Sequence, residues 1–319
     1  MAKHIKRFSI MVWLRRITQT FFLLLFFNLF LKTTFYPPNN VGGPVTFFFN
    51  IDPLVLFTTW LATHAVPTAL LLALITLAVT FIFGRWFCGW VCPFGVIHNL
   101  LTSMRTRKLK DRIASAAYTP TQKIKYYILI FCVLAAVAGF NAIGWLDPFS
   151  FLYRSLAVAV YPALSNGIGD IFSWMYDTEP VFLGINWLNV TEPGYDFMRE
   201  HFLPIEQPYY AGSLLIGVLF IVIVLLNLYK ARFWCRYICP LGALLGVVGK
   251  NPLFRFEKDL ESCNQCRLCV ENCQGGAEPH TLTEWKPSEC FYCWNCVPAC
   301  PHNSITFSFN VPKKGDSHE

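Results

Sequence analysis

Charge is what this sequence has least of. Only 14% of its 319 residues are Asp, Glu, Lys or Arg, against about 25% in a soluble domain. From residue 33 to residue 84 there is no Lys or Arg at all. A chain so short of ionic surface is a poor fit to an ordinary cytosolic globule, and 55% hydrophobic residues exclude intrinsic disorder. The mean hydropathy of +0.43 points to lipid as the main solvent. The net charge of +7 gives no warrant for a nucleic-acid partner, because its distribution follows membrane topology. Cysteine, in contrast, is abundant: 13 residues, eight of them between Cys263 and Cys300.

Four apolar stretches, near residues 14–35, 67–87, 125–145 and 209–229, reach the roughly 20 helical residues that cross a bilayer core. Residues 53–64 and 149–164 are too short or too broken by polar residues and proline, and read as interfacial or re-entrant helices. The first stretch follows Lys3, Lys6 and Arg7 with no small-residue cleavage site behind it, so it reads as a retained anchor. Between 85 and 125 stand eight basic residues, Arg85, Arg105, Arg107, Lys108, Lys110, Arg112, Lys123 and Lys125. Between 147 and 208 there are two, Arg154 and Arg199, against eight acids, and Lys230, Arg232, Arg236 and Lys250 follow the last span. By the positive-inside rule both termini are cytoplasmic. The expected fold is therefore membrane α-helical, with four transmembrane helices over residues 1–250 and a C-terminal α+β domain over 251–319.

The tail carries Cys263, Cys266, Cys269 and Cys273, then Cys290, Cys293, Cys296 and Cys300 followed by Pro301. Each half is C-x2-C-x2-C-x3-C, the spacing of a two-cluster bacterial ferredoxin. Three thiolates on a tight loop wrap three corners of a cubane, and the fourth cysteine ligates the other cluster. One [4Fe–4S] cluster then takes Cys263, Cys266, Cys269 and Cys300, and the second takes Cys290, Cys293, Cys296 and Cys273. Structural zinc prefers two separated pairs, and disulfides do not suit a reducing compartment. Residues 253–256 and 305–309 could pair as the small sheet of such a module. His280 and His302 read as solvated loop residues.

An internal repeat is the other feature. Arg85-Trp-Phe-Cys88-Gly-Trp-Val-Cys92-Pro93-Phe-Gly95 recurs as Arg232-Phe-Trp-Cys235-Arg-Tyr-Ile-Cys239-Pro240-Leu-Gly242. Spacing of i, i+4 puts each cysteine pair on one helical face, and each proline suits the first turn of a following helix. Three readings stay open for Cys88, Cys92, Cys235 and Cys239: a third iron–sulfur cluster at the membrane's cytoplasmic surface, redox-active thiol pairs, or packing residues. Cys132, alone in a span, reads as core.

Two C-x3-C-P motifs followed by a double ferredoxin motif resemble the NapH-type membrane polyferredoxins, which are related to NosR-type iron–sulfur modules. The resemblance takes in Arg15-Arg16, Asp52-Pro53-Leu54, His64, Pro67, both repeats with Leu241-Gly242-Ala243, and the tail. It implies a multi-pass protein of the bacterial inner membrane, the quinol-oxidising component of an oxidoreductase in anaerobic respiration. Electrons from membrane quinol would pass through the clusters to a partner ferredoxin, cytochrome or reductase subunit. His64 is the candidate proton acceptor, with Asp52 and Asp147 beside it. A redox maturation or regulatory factor, supplying electrons for metal-site assembly in a partner enzyme, is the alternative. A purely structural ferredoxin anchor is a third.

Overall fold

The structure, a computed structural model, describes residues 9–33, 44–104, 108–178, 193–197, 211–279 and 285–309, and the backbone of 181–182 and 185–186. Lys3, Lys6, Arg7, Arg105, Arg107, Arg199 and His280 lie outside the described residues.

The chain is mostly helical. Ile10–Leu31, with no Gly or Pro in 22 residues, forms one unbroken helix. This helix and the run Leu109–Val137 are long and apolar enough to cross a membrane; Pro53–Thr63, Thr68–Phe83 and Ser213–Leu228 are shorter apolar helices. Glycines account for some of the shortening. Gly84 (φ +66°) ends the Ala73–Phe83 helix, and Gly139 (φ +82°) follows the end of Ile124–Val137. The segments read as too short to span are helical as well. Asp52 caps Pro53–Thr63 through Leu54 and Val55, and Pro148–Ser155 runs through a π turn, Leu156–Val160, into Tyr161–Thr178.

Two compact units emerge. The smaller, Leu152–Val222, contains the Tyr161–Thr178 helix, a two-residue hairpin pairing Val181–Phe182 with Ile185–Asn186, and Phe172 stacked on Tyr195 at 4.2 Å. The larger comprises Met1–Phe151 and Ile223–Glu319 and contains every cysteine. Its tail strands Phe254–Lys258 and Ile305–Phe309 pair antiparallel with Phe256 opposite Phe307, which supplies the expected sheet. Phe256, Tyr292 and Ile305 form the core beneath that sheet, covered by Trp285, Trp294 and Phe307.

Candidate redox centre

Each membrane repeat folds the same way. Trp86–Trp90 and Phe233–Tyr237 are one-turn helices that stop at Val91 and Ile238. Cys92 (φ −63°, ψ 114°) and Cys239 (φ −61°, ψ 111°) are then extended and cap the helices Pro93–Ser103 and Pro240–Val248. The two cysteines of a repeat therefore do not share one helical face, as the spacing had suggested. A residue before proline is pushed out of the α region by the ring's Cδ, so the backbone turns at the second cysteine. The prolines stand at the first helical position, as expected.

All four thiols are buried, and electrostatic coupling links Cys92 to Cys235 and Cys88, and Cys239 to Cys235, Cys88 and Cys92. The repeats hold each other crosswise. Arg232 Nη1 donates to the Cys88 carbonyl at 2.8 Å, and Arg85 Nη2 to the Cys235 carbonyl at 3.4 Å. Gly95 and Gly242 leave room for these exchanges: a Cβ on Gly95 would meet the Cys88 carbonyl at 2.8 Å, and one on Gly242 would meet Arg85 Nη2 at 2.8 Å. Burial pushes the Cys92 and Cys239 thiols well above their ordinary range. It pushes Cys235 up to about 11, against the pull of Arg232, Arg85 and Lys125.

The second tail motif is seated on this quartet. Phe291, next to Cys290, lies under both guanidinium groups, 4.8 Å from Arg85 and 4.9 Å from Arg232. Gly89 abuts the Phe291 carbonyl so closely that a Cβ has no space, and Trp90 Nε1 donates to the Tyr292 carbonyl at 2.9 Å. Glu289, nearly buried, pairs with Lys125 and with Arg85 at 3.3 Å, and accepts from Gln122 at 3.2 Å and Tyr126 at 3.2 Å. Arg236 reaches the Ser115 and Ala117 carbonyls at 3.2 and 2.7 Å and Gln122 Oε1 at 2.8 Å. Arg15 on the first helix bonds Asn295 at 3.1 Å and Gln274 at 3.5 Å. Arg15, Arg85, Lys125, Arg232 and Arg236 are thus buried structural cations. By sequence their charge reads as topology, and the arginine three residues before the first cysteine of both repeats reads as part of the repeat; their burial is visible only in the structure.

The tail cysteines lie close to one another. Cys263, Cys266, Cys269 and Cys300 line one cavity. Cys290 and Cys296 each feel both Cys293 and Cys273. In both motifs the backbone turns left-handed at matched positions: Gln265 (φ 56°) and Arg267 (φ 61°) in the first, Tyr292 (φ 49°) and Trp294 (φ 60°) in the second. A non-glycine residue there costs about 1–2 kcal/mol. Such turns aim successive N–H groups into an anion-binding concavity. Gln265 and Tyr292 N–H point at the Cys263 and Cys290 sulfurs, both at 3.4 Å. Among the described residues, no three His, Cys, Asp or Glu side chains close on one metal ion; a four-iron cube holds its ligands farther apart than a single ion does. These features fit anionic thiolate-bound clusters. At the membrane quartet, Arg85 Nε and Arg232 Nε and Nη2 are buried donors without a protein acceptor, which suits an anionic group there too.

His64, the proton-acceptor candidate, ends the Pro53–Thr63 helix in the left-handed region (φ 54°), exposed. His302 is exposed, and Cys132 is fully buried as expected. Asp52 and Asp147 are wholly buried and carboxyl to carboxyl. One oxygen of each accepts two backbone N–H groups: Leu54 at 2.7 Å and Val55 at 3.3 Å, Phe149 at 3.0 Å and Ser150 at 2.8 Å. The other oxygens, Asp52 Oδ2 and Asp147 Oδ1, have no hydrogen-bond donor among the described residues. Burial raises both groups above the usual carboxylate range, and Asp147 raises Asp52 further.

Two family models, each described as a 4Fe-4S binding domain, match the chain: one at residues 65–110 and 210–260, covering both membrane repeats, the other at 283–306 in the tail. YccM of Escherichia coli (strain K12) is 26% identical over 88% of this chain and 67% of its own length. The ferredoxin-type protein NapH of the same organism is 26% identical over 81% of this chain and 74% of its own. The chain is similar to the NapH- and NosR-type polyferredoxins and carries the same kind of 4Fe-4S binding domains. The regulatory protein NosR of Pseudomonas aeruginosa is 29% identical over 72% of this chain, which covers 26% of NosR. No solved structure matches it. These similarities support a membrane-associated iron–sulfur electron-transfer protein, with redox partner subunits suggested by its relatives.

Proposed function

We propose that this chain is the quinol-oxidising component of a multi-subunit oxidoreductase in the bacterial inner membrane. It crosses the membrane four times with both termini in the cytoplasm, and residues 251–319 form its two-cluster ferredoxin module. Cys263, Cys266, Cys269 and Cys300 hold one [4Fe–4S] cluster, and Cys290, Cys293, Cys296 and Cys273 a second. Cys88, Cys92, Cys235 and Cys239 hold a third, a reading supported by the match of both repeats to a 4Fe-4S binding model. A [4Fe–4S] cluster carries one electron at a time and so divides a two-electron donor into single electrons. The chain's residues exclude water with Phe87, Trp90 and Trp234, and offset thiolate charge with Arg85 and Arg232.

The observation that carries this reading is the seating of the Cys290–Cys296 motif on the thiol quartet through Phe291. Such contact gives electrons a short path between membrane and tail. The test is the iron and acid-labile sulfide content of anaerobically purified protein, with reduction by duroquinol followed by EPR. Three clusters give about twelve irons per chain and two give about eight. A Cys88→Ser, Cys239→Ser double variant should lose about four irons and quinol-driven reduction together; unchanged reduction would sink the membrane relay. The similarity to NosR, a regulatory protein, favours a second reading, a maturation or regulatory factor. That reading predicts transfer of a few electron equivalents in place of sustained quinol oxidation.

A further inference from the structure

A cavity of about 690 Å³ opens beside the Ile124–Val137 helix, lined by Tyr126, Tyr127, Ile130, Val247, Ser288 and Glu289 among others. Its volume falls in the range of small-molecule sites, about 300–1,000 Å³. Its lining is graded. Tyr127, Ile130 and Val247 are exposed apolar or aromatic side chains at the mouth, on helices embedded in or bordering lipid in the reading above. Lys123, Lys250 and Lys286 add a basic lining. The floor is polar and fixed: Tyr126 bonds Glu289 Oε1 at 3.2 Å, and Glu289 is itself held by Lys125 and Arg85.

The floor is also where the two cysteine systems meet. Glu289 immediately precedes Cys290. Arg85, three residues before Cys88, donates to the Ser288 carbonyl at 2.8 Å. Lys125 adjoins Tyr126 and is electrostatically coupled to Cys239. No step of the relay described above uses this cavity.

We infer that this cavity is the quinol-binding site, entered from the lipid between Ile130 and Val247, with the head group against Tyr126 and Ser288. The inference rests on the quinol reading above and supplies its location. Oxidation there breaks both quinol O–H bonds. The two electrons leave singly to the iron–sulfur centres as oxidant, and the two protons leave to cytoplasmic water past Lys123 and Lys250. A ring with one polar edge and one lipid-soluble chain matches a cavity that is polar at its floor and apolar at its mouth. His64, exposed at a helix end, has no part in this site.

The test uses the full chain with its clusters in proteoliposomes. Under ultraviolet light a short-chain azidobenzoquinone should label peptides within residues 118–130 or 246–250 of the wild-type protein, and excess duroquinol should prevent it. Val247→Trp and Ile130→Trp fill the mouth at exposed positions. Each should slow cluster reduction by duroquinol about tenfold or more, while dithionite reduces as many clusters as in wild type. Wild-type rates in both variants, with label elsewhere, would overturn this site and leave quinol oxidation standing. Failure of duroquinol to reduce wild-type clusters that dithionite reduces would remove the quinol reading and the site with it. Where a tryptophan variant loses its clusters, the labelling position in wild type decides.

Discussion

Arg232 reaches back across 144 residues to donate to the carbonyl of Cys88. Arg85, its counterpart in the first repeat, reaches forward to the carbonyl of Cys235. Each half of the quartet is therefore shaped by a side chain of the other half. Replacing Arg232 with Gln leaves the Cys88 carbonyl without its charged donor, a loss of about 1.5–3 kcal/mol. The expected results are a lower unfolding temperature and about four fewer irons per chain. Arg232→Lys should not rescue them, because a single ammonium cannot reproduce the planar fork. Denaturation followed by circular dichroism, with iron analysis on the same sample, checks both.

Glu289 balances two buried cations at once. Glu289→Gln keeps the shape and removes the charge, leaving Arg85 and Lys125 uncompensated, at a cost of about 3–5 kcal/mol. The double variant Glu289→Gln, Lys125→Met should recover part of that loss. A double-mutant cycle in urea measures the coupling, and strict additivity would contradict the buried pairing.

The Asp52–Asp147 pair gives a pH dependence whose sign can be worked out. Both carboxyls titrate above their ordinary range, so across that interval the folded chain binds more protons than the unfolded chain. Stability is then greatest below the unfolded carboxylate value of about 4 and falls as pH rises toward the raised native values. Asp52→Asn keeps an acceptor for the Leu54 and Val55 N–H groups and removes one charge. Its unfolding midpoint should fall less steeply than wild type as pH rises above about 4. Parallel profiles would mean that the two acids do not titrate together.

Gly84 is constrained twice, by its φ of +66° and by the ring of Tyr292, which occupies the position its Cβ would take. Gly84→Ala should destabilise by about 1–3 kcal/mol. Tyr292→Leu should relieve the clash and leave the backbone strain. Partial recovery in the double variant is the expected result of thermal denaturation.

The tail motifs were legible because iron chemistry sets their spacing, and the structure gives both motifs matched left-handed turns at Gln265, Arg267, Tyr292 and Trp294. The membrane repeat was legible as a pattern and misread as geometry. A spacing of four positions between cysteines suggests one helix face, yet Pro93 and Pro240 force the preceding cysteine into extended backbone, a constraint already written in the sequence. Arg85 and Arg232 were visible as repeated letters, but their burial was not, since any basic residue near a span end satisfies the topology rule equally well. Glu289 was the least legible. Its partners Arg85 and Lys125 lie 204 and 164 residues away, and no local pattern announces such a contact.

The crosswise clamp also sets an order of events during synthesis. A ribosome that has made only the first repeat has made half a site: Cys88 and Cys92 exist, but Arg232 and the Phe291 platform do not. Iron delivered at that stage would meet an open thiol pair. The quartet closes only after the second repeat has been inserted and the tail has docked. Loading of the cluster proposed for the quartet is therefore a late event, and a chain truncated before residue 290 should reach the membrane without completing that site.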